Sequence, residues 1–567
     1  MARTIGEIIR ELRKQRKITQ EKLAEQIGVT PQAISRWERD VGYPDITQIV
    51  PLAKSFGVST DEILGVGLSS DEDQIQEYID LATKADTLEK SIEILKEARA
   101  KFPKSYLIKV KLGSALVSYN SRNTLQAGFG RVNVNSMMGI HLRGNGLIRP
   151  ADGILDDLEI NALAVSDGEK TAIMIALDSC AMEWECAKEF KKSISEATKL
   201  PLDAIYLHAV HTHTAPFLRK TASDPLEKEY FQFVNRKMAD VSLLALADMK
   251  PSKMGYNVGT APELAFVRRF LMKDGTTKTN PKINDPDVKR PIGKADHRVG
   301  VLRFDREGNE SIVLVNYGNH PDVIGGCKLS ADWPGALRRE VERIIPNTKC
   351  VFFNGALGDV NHINCFPRLK GEERMSESAF GHGYAYSQYI GRAIACTVAQ
   401  AYDFTKFREV CSISFAQKMI TVPINMPKPE DMPEAHRLQR LYLEKGLDAL
   451  PGDEMEQNTL VYETKRMIDF EHGPEAVDIQ ISAVAIGPVV LIGAPGEMFV
   501  ETGMRLKETK GWDLVLPTSI TNGYYSYLPT KQAFLEGGFE ARTSEFKKGI
   551  AERIVEESKK MLKELLK

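Results

Sequence analysis

Several features that would assign this chain to a common class of protein are missing from its sequence. Its 567 residues include only seven cysteines, without a CxxC pair, and the odd number argues against a full disulfide framework. No run approaches the roughly 20 apolar residues that a membrane-spanning helix needs. The start, MARTIGEIIRELRKQRK, lacks the apolar centre of a signal peptide. We therefore expect a cytoplasmic protein with no stable membrane insertion.

The sequence also lacks an excess of either charge. Its 75 basic and 77 acidic residues leave a formal net charge of -2, so the chain as a whole is not a polyanion binder. Any nucleic acid must therefore bind at a local patch. At roughly 150 residues per domain, a chain of this length is expected to be multidomain.

Residues 1 to 66 contain five short helical patterns with clear start signals. Thr19 can cap the second pattern, and Thr30 followed by Pro31 opens the third. Gly28 lies between these two patterns and allows a tight turn. Two helices joined by a glycine turn inside a compact all-α unit predict a helix-turn-helix domain.

The segment ITQEKLAEQIGVTPQAISRWERDVGYPDI resembles the lambda-repressor-type (Cro/CI, xenobiotic-response-element) family of DNA-binding domains. The resemblance implies a sequence-specific transcriptional regulator that binds double-stranded DNA with its third helix in the major groove. Glutamine can pair with adenine, and arginine with guanine or phosphate. We expect base and phosphate contacts from Gln32, Ser35, Arg36 and Arg39, and backbone contacts at the start of the second helix from Thr19, Gln20 and Lys22.

The charge of this segment bears on how it would bind DNA. Residues 1 to 66 carry ten Lys/Arg against nine Asp/Glu, which is a weak electrostatic drive toward a polyanion. We therefore expect the affinity to come from a homodimer. A helical bundle that contacts other proteins is the alternative interpretation.

Residues 67 to 120 predict a helical connector. Two or three helical patterns follow a polar stretch, and Ala98 to Pro103 resembles the end of a tetratricopeptide repeat. One repeat cannot bury its own apolar face, so the segment must pack on a neighbour or on a second subunit. A connector or dimer arm is favoured over a true repeat array.

Strands alternate with helices across residues 121 to 567, which predicts a large α/β domain with a mixed sheet. Several apolar strands end in small residues plus a histidine or an acid. One runs into His211-Thr-His213, another delivers His320, and another ends before Glu497. Sites of open α/β sheets lie beyond the strand ends. A strand running through His211 and His213 would place both rings on one face.

Segments of this domain resemble the neutral/alkaline (non-lysosomal) ceramidase family. They are, in order, HTHTAP, NHPDVIGG with SADWPG, NGALGDVN, APGEMF and NGYYSYLPT, and the similarity spans about residues 125 to 545. It implies one zinc ion bound by two histidines, a glutamate and a tyrosine, which correspond here to His211, His320, Glu497 and Tyr527. The resemblance also implies substrate contacts from His213 and from an arginine, Arg268 or Arg269.

The residue types agree with zinc. Two imidazoles, a carboxylate and a weak oxygen ligand suit this metal, which can lower the pKa of a water to about 7. Asp178 and Asp359 are expected to orient the ligating histidines. One position departs from the family, because Asn361 stands where ceramidases have a serine with a proposed catalytic role. Asparagine can donate a hydrogen bond to an oxyanion but cannot be acylated, so hydrolysis here needs water as the nucleophile.

Three functions remain open. The chain is a DNA-binding regulator whose large domain senses a ligand, or a zinc amidohydrolase of an N-acyl or ceramide-like substrate with an accessory DNA-binding module, or a scaffold without zinc chemistry. The four candidate zinc ligands disfavour the scaffold, and Asn361 disfavours full activity. We therefore predict DNA binding, a zinc centre, and a small-molecule ligand or substrate that is amide or lipid-like.

Overall fold

The computed structural model describes residues 4–65, 70–122, 124–144, 149–367, 382–408 and 412–566. The chain divides into two compact units, Met1–Ser121 and Arg122–Lys567. The first is all helical and the second mixes helices with sheets, as the sequence predicts. No helix within the described ranges is both long and apolar enough to cross a membrane.

Five helices form the helix-turn-helix domain. They are α1 (Ile5–Gln15), α2 (Gln20–Ile27), α3 (Pro31–Trp37), α4 (Ile46–Phe56) and α5 (Thr60–Ile63). The Thr19 hydroxyl accepts from the Lys22 N–H at 3.2 Å and the Thr30 hydroxyl from the Ala33 N–H at 3.3 Å, which confirms both predicted caps. Gly28 ends α2 in the left-handed conformation at φ 74°. The segment PQAISRWERD predicts a third helix that runs on to Asp40, whereas α3 ends at Trp37.

The helix-turn-helix domain has its own apolar core. Ile9, Leu23, Ile34 and Leu52 are fully buried there, so each of the four longer helices contributes an apolar stripe. Three further helices follow in the same unit: α6 (Ser70–Thr83), α7 (Leu88–Lys101) and α8 (Tyr106–Arg122). They enclose a smaller cluster around Leu95.

The second unit contains ten further helices in its described residues. They are α9 (Trp184–Thr198), α10 (Pro225–Ala247), α11 (Asp332–Ile344), α12 (Tyr384–Asp403), α13 (Met432–Lys445), α14 (Glu454–Phe470), α15 (Val500–Lys507), α16 (Lys531–Glu536), α17 (Phe539–Thr543) and α18 (Ile550–Leu565). Short 3-10 turns lie at Leu202–Ala204, Pro429–Asp431 and Leu447–Ala449.

Two larger sheets organise this unit. The strands of its nine-stranded sheet, in chain order, are β1 (Gln126–Asn133), β5 (Glu159–Ser166), β6 (Thr171–Leu177), β8 (Ile205–Ala209), β10 (Lys250–Thr260), β15 (Arg298–Arg306), β16 (Ser311–Tyr317), β18 (Thr348–Asn354) and β20 (Lys406–Arg408). The spatial order is β18-β16-β15-β10-β1-β5-β6-β8, with β20 on β10. The four-stranded sheet has the order β21 (Ile413–Pro423), β22 (Ala476–Ile486), β23 (Val489–Gly493) and β25 (Leu514–Thr518).

Shorter strands pair around the loops. They are β2 (His141–Leu142), β3 (Arg149–Pro150), β4 (Gly153–Ile154), β7 (Ala181–Met182), β9 (Phe217–Leu218), β11 (Phe266–Val267), β12 (Arg269–Met272), β13 (Thr277–Thr279), β14 (Val288–Pro291), β17 (Lys328–Leu329), β19 (Val360–Asn361), β24 (Glu497–Met498) and β26 (Tyr527–Leu528).

One supersecondary unit occurs three times in these sheets. An antiparallel pair is followed by a helix and a third strand parallel to the second, as in β5-β6-α9-β8, β15-β16-α11-β18 and β22-β23-α15-β25. The parallel strands are almost entirely buried and apolar, as expected for strands covered on both faces. Each unit therefore brings two parallel strand ends to one edge, where polar residues follow.

A ring of hydrogen bonds joins the three units at that edge. The Asn354 N–H donates to His208 Nε2 at 2.9 Å, His208 Nδ1–H donates to the Ser519 carbonyl at 2.8 Å, and the Ser519 N–H donates to the Asn354 carbonyl at 3.2 Å. His208 is fully buried, and burial lowers its pKa to about 3. This ring satisfies both imidazole nitrogens, so His208 is a structural residue.

Candidate metal centre

The predicted zinc ligands come together beyond the ends of the parallel strands. His211 and His213 follow β8, His320 follows β16, Glu497 begins β24 just after β23, and Tyr527 begins β26 after β25. Each of the three repeated units therefore contributes to one buried cluster. Ligands as far apart in sequence as His211 and Glu497 come together because the three repeated units place the ends of their parallel strands side by side.

The strand geometry predicted for His211 and His213 is wrong, although their nitrogens do converge. Strand β8 ends at Ala209, and His211 lies beyond it with φ at +76°. Positive φ is uncommon for a non-glycine residue, and here it turns the chain out of the extended conformation. His213 Nε2 then lies 3.3 Å from His211 Nε2.

Four side chains aim their ligating atoms at one point. His211 Nε2 is 3.5 Å from Glu497 Oε1, and His320 Nε2 is 3.3 Å from Glu497 Oε2. The ligand nitrogens of the three histidines lie within 4.8 Å of one another. Ligands bonded to tetrahedral zinc at 2.0–2.1 Å are about 3.3–3.4 Å apart, so the two separations from Glu497 fit a shared ion. The grouping admits His213 as a ligand, a role that the sequence assigned to tyrosine.

Backbone carbonyls orient the histidines. His211 Nδ1–H donates to the Cys180 carbonyl at 2.7 Å, and His320 Nδ1–H donates to the Leu357 carbonyl at 3.0 Å. These bonds leave the Nε2 lone pairs directed at the cluster, as metal-binding histidines require. The expectation that aspartates perform this task is wrong.

The two aspartates are engaged elsewhere. Asp178 forms a buried ion pair with Arg338 at 2.5 Å, and the Asp359 carboxylate accepts the Val500 N–H at 2.7 Å. These contacts join Asp178 to α11 and Asp359 to the start of α15, and neither carboxylate is hydrogen-bonded to an imidazole within the described residues.

Two buried atoms of the cluster have no hydrogen-bond partner among the described residues. They are His320 Nε2 and Glu497 Oε2, which lie opposite each other. An unpaired polar atom in a protein interior is costly, and a bound cation would satisfy both. The observation therefore indicates that the donor set fits a metal.

The charges of the cluster are coupled to one another. Burial raises the pKa of Glu497, but the facing His211 outweighs this and holds the pKa well below its usual range. Burial, with the nearby Arg268, lowers the pKa of His320 to about 4. Glu497 is therefore ionised and His320 neutral at physiological pH. Burial lowers the pKa of His211, but the facing Glu497 carboxylate outweighs this and raises the pKa well above its usual value, so a metal ion would have to displace a proton from His211.

Two tyrosines border the cluster in different ways. The Tyr524 hydroxyl donates to Glu497 Oε1 at 2.8 Å, whereas the Tyr527 ring lies 5.3 Å from the guanidinium of Arg268. Both tyrosines line the same cavity. Sequence spacing pointed to Tyr527, but it is Tyr524 that contacts the predicted carboxylate ligand.

The two candidate arginines make different contacts. Arg268 Nη1 lies 3.5 Å from His320 Nδ1. Arg269 instead donates to the Gly537 carbonyl at 2.7 Å and pairs with Glu536 at 3.3 Å. Of the pair, Arg268 is therefore the one in contact with the cluster, and the catalytic role predicted for Arg269 gains no support from its position.

Asn361 lies on β19, and its amide donates to Asn280 Oδ1 at 3.1 Å. Its own Oδ1 accepts from the Ile363 N–H at 3.0 Å. The side chain does not border the cavity. Its predicted contact with an oxyanion stays a prediction without support from this geometry.

A second histidine group next to Asn361 was missed in the sequence. His362 Nδ1 lies 2.9 Å from Asp322 Oδ1, and His362 Nε2 lies 3.1 Å from His382 Nδ1. Both ring nitrogens of His362 thus have a hydrogen-bond partner, and the three side chains form a linear chain. The group differs from the metal cluster because its ligand atoms do not meet at one point.

A cavity of about 460 Å³ opens onto the metal cluster. Strand-end residues such as His211 and Tyr524 form its floor. A hairpin of α13 and α14, inserted between β21 and β22, forms one wall through residues that include Tyr442 and Phe470. A volume in this range is typical of small-molecule sites.

The residues predicted to contact DNA lie mostly on the surface of the first unit. Gln32, Arg36 and Arg39 are exposed and Ser35 is half-buried. Arg39 lies two positions beyond α3, and its Nε donates to the Ser35 carbonyl at 3.0 Å.

The residues predicted to contact DNA at the start of α2 differ in the hydrogen bonds and ion pairs that they already make within the protein. Thr19 caps the helix, and Lys22 pairs with Glu25 on the surface at 2.8 Å. The Gln20 amide donates to Glu38 Oε2 at 2.8 Å. Gln20 must therefore leave Glu38 before it can contact a phosphate.

Comparison with known proteins identifies the first unit. The helix-turn-helix family HTH_3 matches residues 9–63. The HTH-type transcriptional activator BcrR of Enterococcus faecalis is 43% identical over 59 residues, which are 10% of this chain and 29% of BcrR. The HTH-type transcriptional regulator ImmR of Bacillus subtilis (strain 168) is 31% identical over 94 residues, which are 17% of this chain and 69% of ImmR. Through its N-terminal domain, the chain belongs to the HTH_3 helix-turn-helix family.

Membership of the helix-turn-helix family accounts for only part of the chain, which spans less than a third of BcrR. The second unit resembles a different protein. Neutral ceramidase from Pseudomonas aeruginosa superposes with a TM-score of 0.60 over 78% of this chain and 74% of the ceramidase, at 16% sequence identity. The likeness establishes a shared fold, and both predicted resemblances are confirmed at that level.

Proposed function

We propose that the chain is a sequence-specific transcriptional regulator whose large domain holds a zinc centre and binds an amide-containing small molecule. The proposed domains are residues 1–66 for DNA binding, 67–120 as a connector, and 121–567 for zinc and ligand. We further propose that it acts in the cytoplasm as a homodimer, because two half-sites compensate for a domain with little net charge.

The DNA-binding half of the proposal rests on the helix-turn-helix family match and on the exposed polar face of α3. Gln32 and Arg36 point away from the core and are exposed. Both side chains are suited to base edges. Ser35 and Arg39 extend the same surface, with Thr19 and Lys22 beside it for backbone contacts.

The zinc half rests on the unpaired atoms of His320 and Glu497 that face each other. His211, His320 and Glu497 would hold the ion, and Tyr524, Tyr527 or His213 would complete its ligands. A zinc ion there supplies a Lewis acid for a carbonyl and lowers the pKa of a water molecule. The carbonyls of Cys180 and Leu357 keep the imidazoles in the ligating tautomer.

The chain's own residues can also serve hydrolysis of an amide, which is the second candidate function. Tyr524 holds the Glu497 carboxylate through its hydroxyl. His213 Nε2 borders the same point and can hold a proton beside it. Arg268 is a buried guanidinium next to His320, where it can stabilise developing negative charge. The hairpin of α13 and α14 limits access of water.

Metal analysis of the purified full-length protein tests the central proposal. We expect about one zinc per chain in the wild type and in His362→Ala, and loss of most zinc in His211→Ala. Retention of zinc by His211→Ala would contradict the assignment. Turnover of a panel of short N-acyl amides by the zinc-loaded protein, abolished in Glu497→Ala, would favour the enzyme over the sensor.

A further inference from the structure

One wall of the cavity carries two guanidinium groups that share a single buried carboxylate. Arg143 Nη2 lies 3.3 Å from Glu227 Oε1, and Arg219 Nη2 lies 3.4 Å from Glu227 Oε2. His141 Nδ1 approaches the same carboxylate at 3.4 Å. Glu227 is 6% exposed. One negative charge therefore faces two permanent positive charges and an imidazole.

Two further carboxyls border this group, and one of them, Asp224 Oδ2, lies 3.7 Å from His141 Nδ1 rather than beside an arginine. Glu183 lies close enough to Arg219 to interact with it, but burial raises the pKa of Glu183. Neither arginine forms an ion pair with Glu183 in the described residues. A partly desolvated cation without its own counter-charge is unfavourable.

Each of these two arginines also has a donor without a partner in the part of the chain that the structure describes. The Nε atoms of Arg143 and Arg219 are buried and make no hydrogen bond within the described residues. Arg149 donates to the carbonyls of His213 at 2.6 Å and Arg143 at 3.2 Å, and unlike Arg143 and Arg219 it has no hydrogen-bonded carboxylate within the described residues. Guanidinium forks of this kind match a carboxylate in geometry.

Both arginines are close to the metal cluster. Arg143 precedes Gly144, and a Cβ at Gly144 would overlap the His213 ring. Arg219 lies over the Phe217 ring at 5.6 Å, and Phe217 packs edge-on against Tyr524 at 5.7 Å. An anion held by the arginines would thus be one or two ring widths from the predicted zinc.

The opposite wall carries an apolar patch beside the polar residues Gln439, Lys465, Arg466 and Asp469. Leu443, Val461 and Phe470, from the hairpin of α13 and α14, face the cavity together with Phe539. An acyl chain fits such a surface because its burial is favourable. The two walls together fit a molecule with an apolar chain and an anionic end.

We propose that the cavity binds an N-acyl amino acid, with its carboxylate between Arg143 and Arg219 and its acyl chain along the α13–α14 hairpin. This assignment rests on the proposed zinc centre, next to which it places the amide. It specifies the ligand class, since an uncharged lipid amide would leave the two guanidinium groups with only the one carboxylate of Glu227 between them.

Calorimetric titration of the zinc-loaded full-length protein tests the assignment with two probes, N-octanoylglycine and N-octanoylglycinamide. They differ only in the charge that the arginines would recognise. We expect the acid to bind at least about tenfold more tightly, in line with a charge-assisted contact. Equal affinities, or no binding of either probe to protein with one zinc per chain, would overturn the assignment while leaving the zinc centre intact.

Variants separate recognition from folding. Arg143→Gln combined with Arg219→Gln is expected to abolish the preference for the acid, and Arg437→Gln, an exposed arginine on α13, should retain it. Because the double variant leaves Glu227 unpaired, Glu227→Gln provides an independent test and should increase the preference for the acid. An undiminished preference in a folded double variant, or a reduced one in Glu227→Gln, would contradict the proposal. A wild-type protein that binds no zinc would instead contradict the proposed function itself.

Discussion

The two domains assemble their functional surfaces in opposite ways. In the helix-turn-helix domain, the residues proposed to contact DNA lie between Thr19 and Arg39 and are displayed on two adjacent helices. In the α/β domain, the proposed metal ligands are separated by hundreds of residues and meet only because three repeated units converge. The first surface depends on local helix formation, whereas the second depends on the whole fold. Mutations should therefore separate the two activities cleanly.

The largest effect is expected for a ligand of the metal cluster. His320→Ala should weaken zinc binding by more than the roughly 10–100-fold that is typical for loss of an outer-shell partner. DNA affinity of the same protein should change little if the domains bind independently. Zinc affinity is measured by competition with a chromogenic chelator, with His362→Ala as the matched control. Equal zinc affinities in the two variants would remove His320 from the centre.

The reciprocal change lies on α3. Arg36→Ala should weaken binding to a DNA site selected from a random pool by about 1–3 kcal/mol, because an exposed arginine in the groove contacts a base or phosphate. Zinc content should remain that of the wild type. Fluorescence anisotropy at several salt concentrations measures the loss, with Arg437→Ala as the control. Unchanged affinity at every salt concentration would exclude Arg36 from the interface.

Lowering the pH should change the stability of the two domains differently, because the first 66 residues contain no histidine. Burial depresses the pKa of His208 from 6.5 to about 3, so the neutral form stabilises the fold above pH 6.5. That contribution is lost as the pH falls toward 3, by about 1.4 kcal/mol for each pH unit. Chemical denaturation between pH 7 and 5 should show a shallower pH dependence for the α/β domain of His208→Gln than for the wild type. Identical slopes would contradict the neutral state of His208.

The smallest expected effect is confined to the helix-turn-helix domain. Thr30→Ala removes the cap of α3 and should destabilise this domain by about 1 kcal/mol. Calorimetry should show a lower unfolding temperature only for the transition in which the helix-turn-helix domain unfolds. Thr47→Ala serves as a comparison at another helix start. A shift in the unfolding transition of the α/β domain would indicate that the two domains unfold together.

The same contrast determines what the sequence could reveal. Thr19, Gly28 and Thr30 specify helix ends through contacts with neighbours within four positions, so the starts of α2 and α3 and the end of α2 were predictable from the sequence. The apolar strands of the α/β domain and their polar ends were predictable as well. Their order in space was not, because β10, β15 and β22 pair with strands that no local pattern identifies.

The contacts within the metal cluster could not be predicted from the sequence. The sequence named His211, His320 and Glu497 through motifs, and these do converge. It did not show that Tyr524 contacts Glu497, nor that carbonyls orient the histidines, because hydrogen-bond partners depend on how loops return to the strand ends. The positive φ of His211 likewise has no signal in the residue type. His362 has no recognisable role in the sequence, since its partners Asp322 and His382 are remote in sequence.

Anomalous diffraction at the zinc absorption edge, from crystals of the zinc-loaded full-length protein, tests the central claim most directly. The account predicts one strong peak about 2.0–2.2 Å from the Nε2 atoms of His211 and His320 and from a Glu497 carboxylate oxygen. A peak located instead between His362 and His382, or no peak at the strand-end cluster, would contradict it.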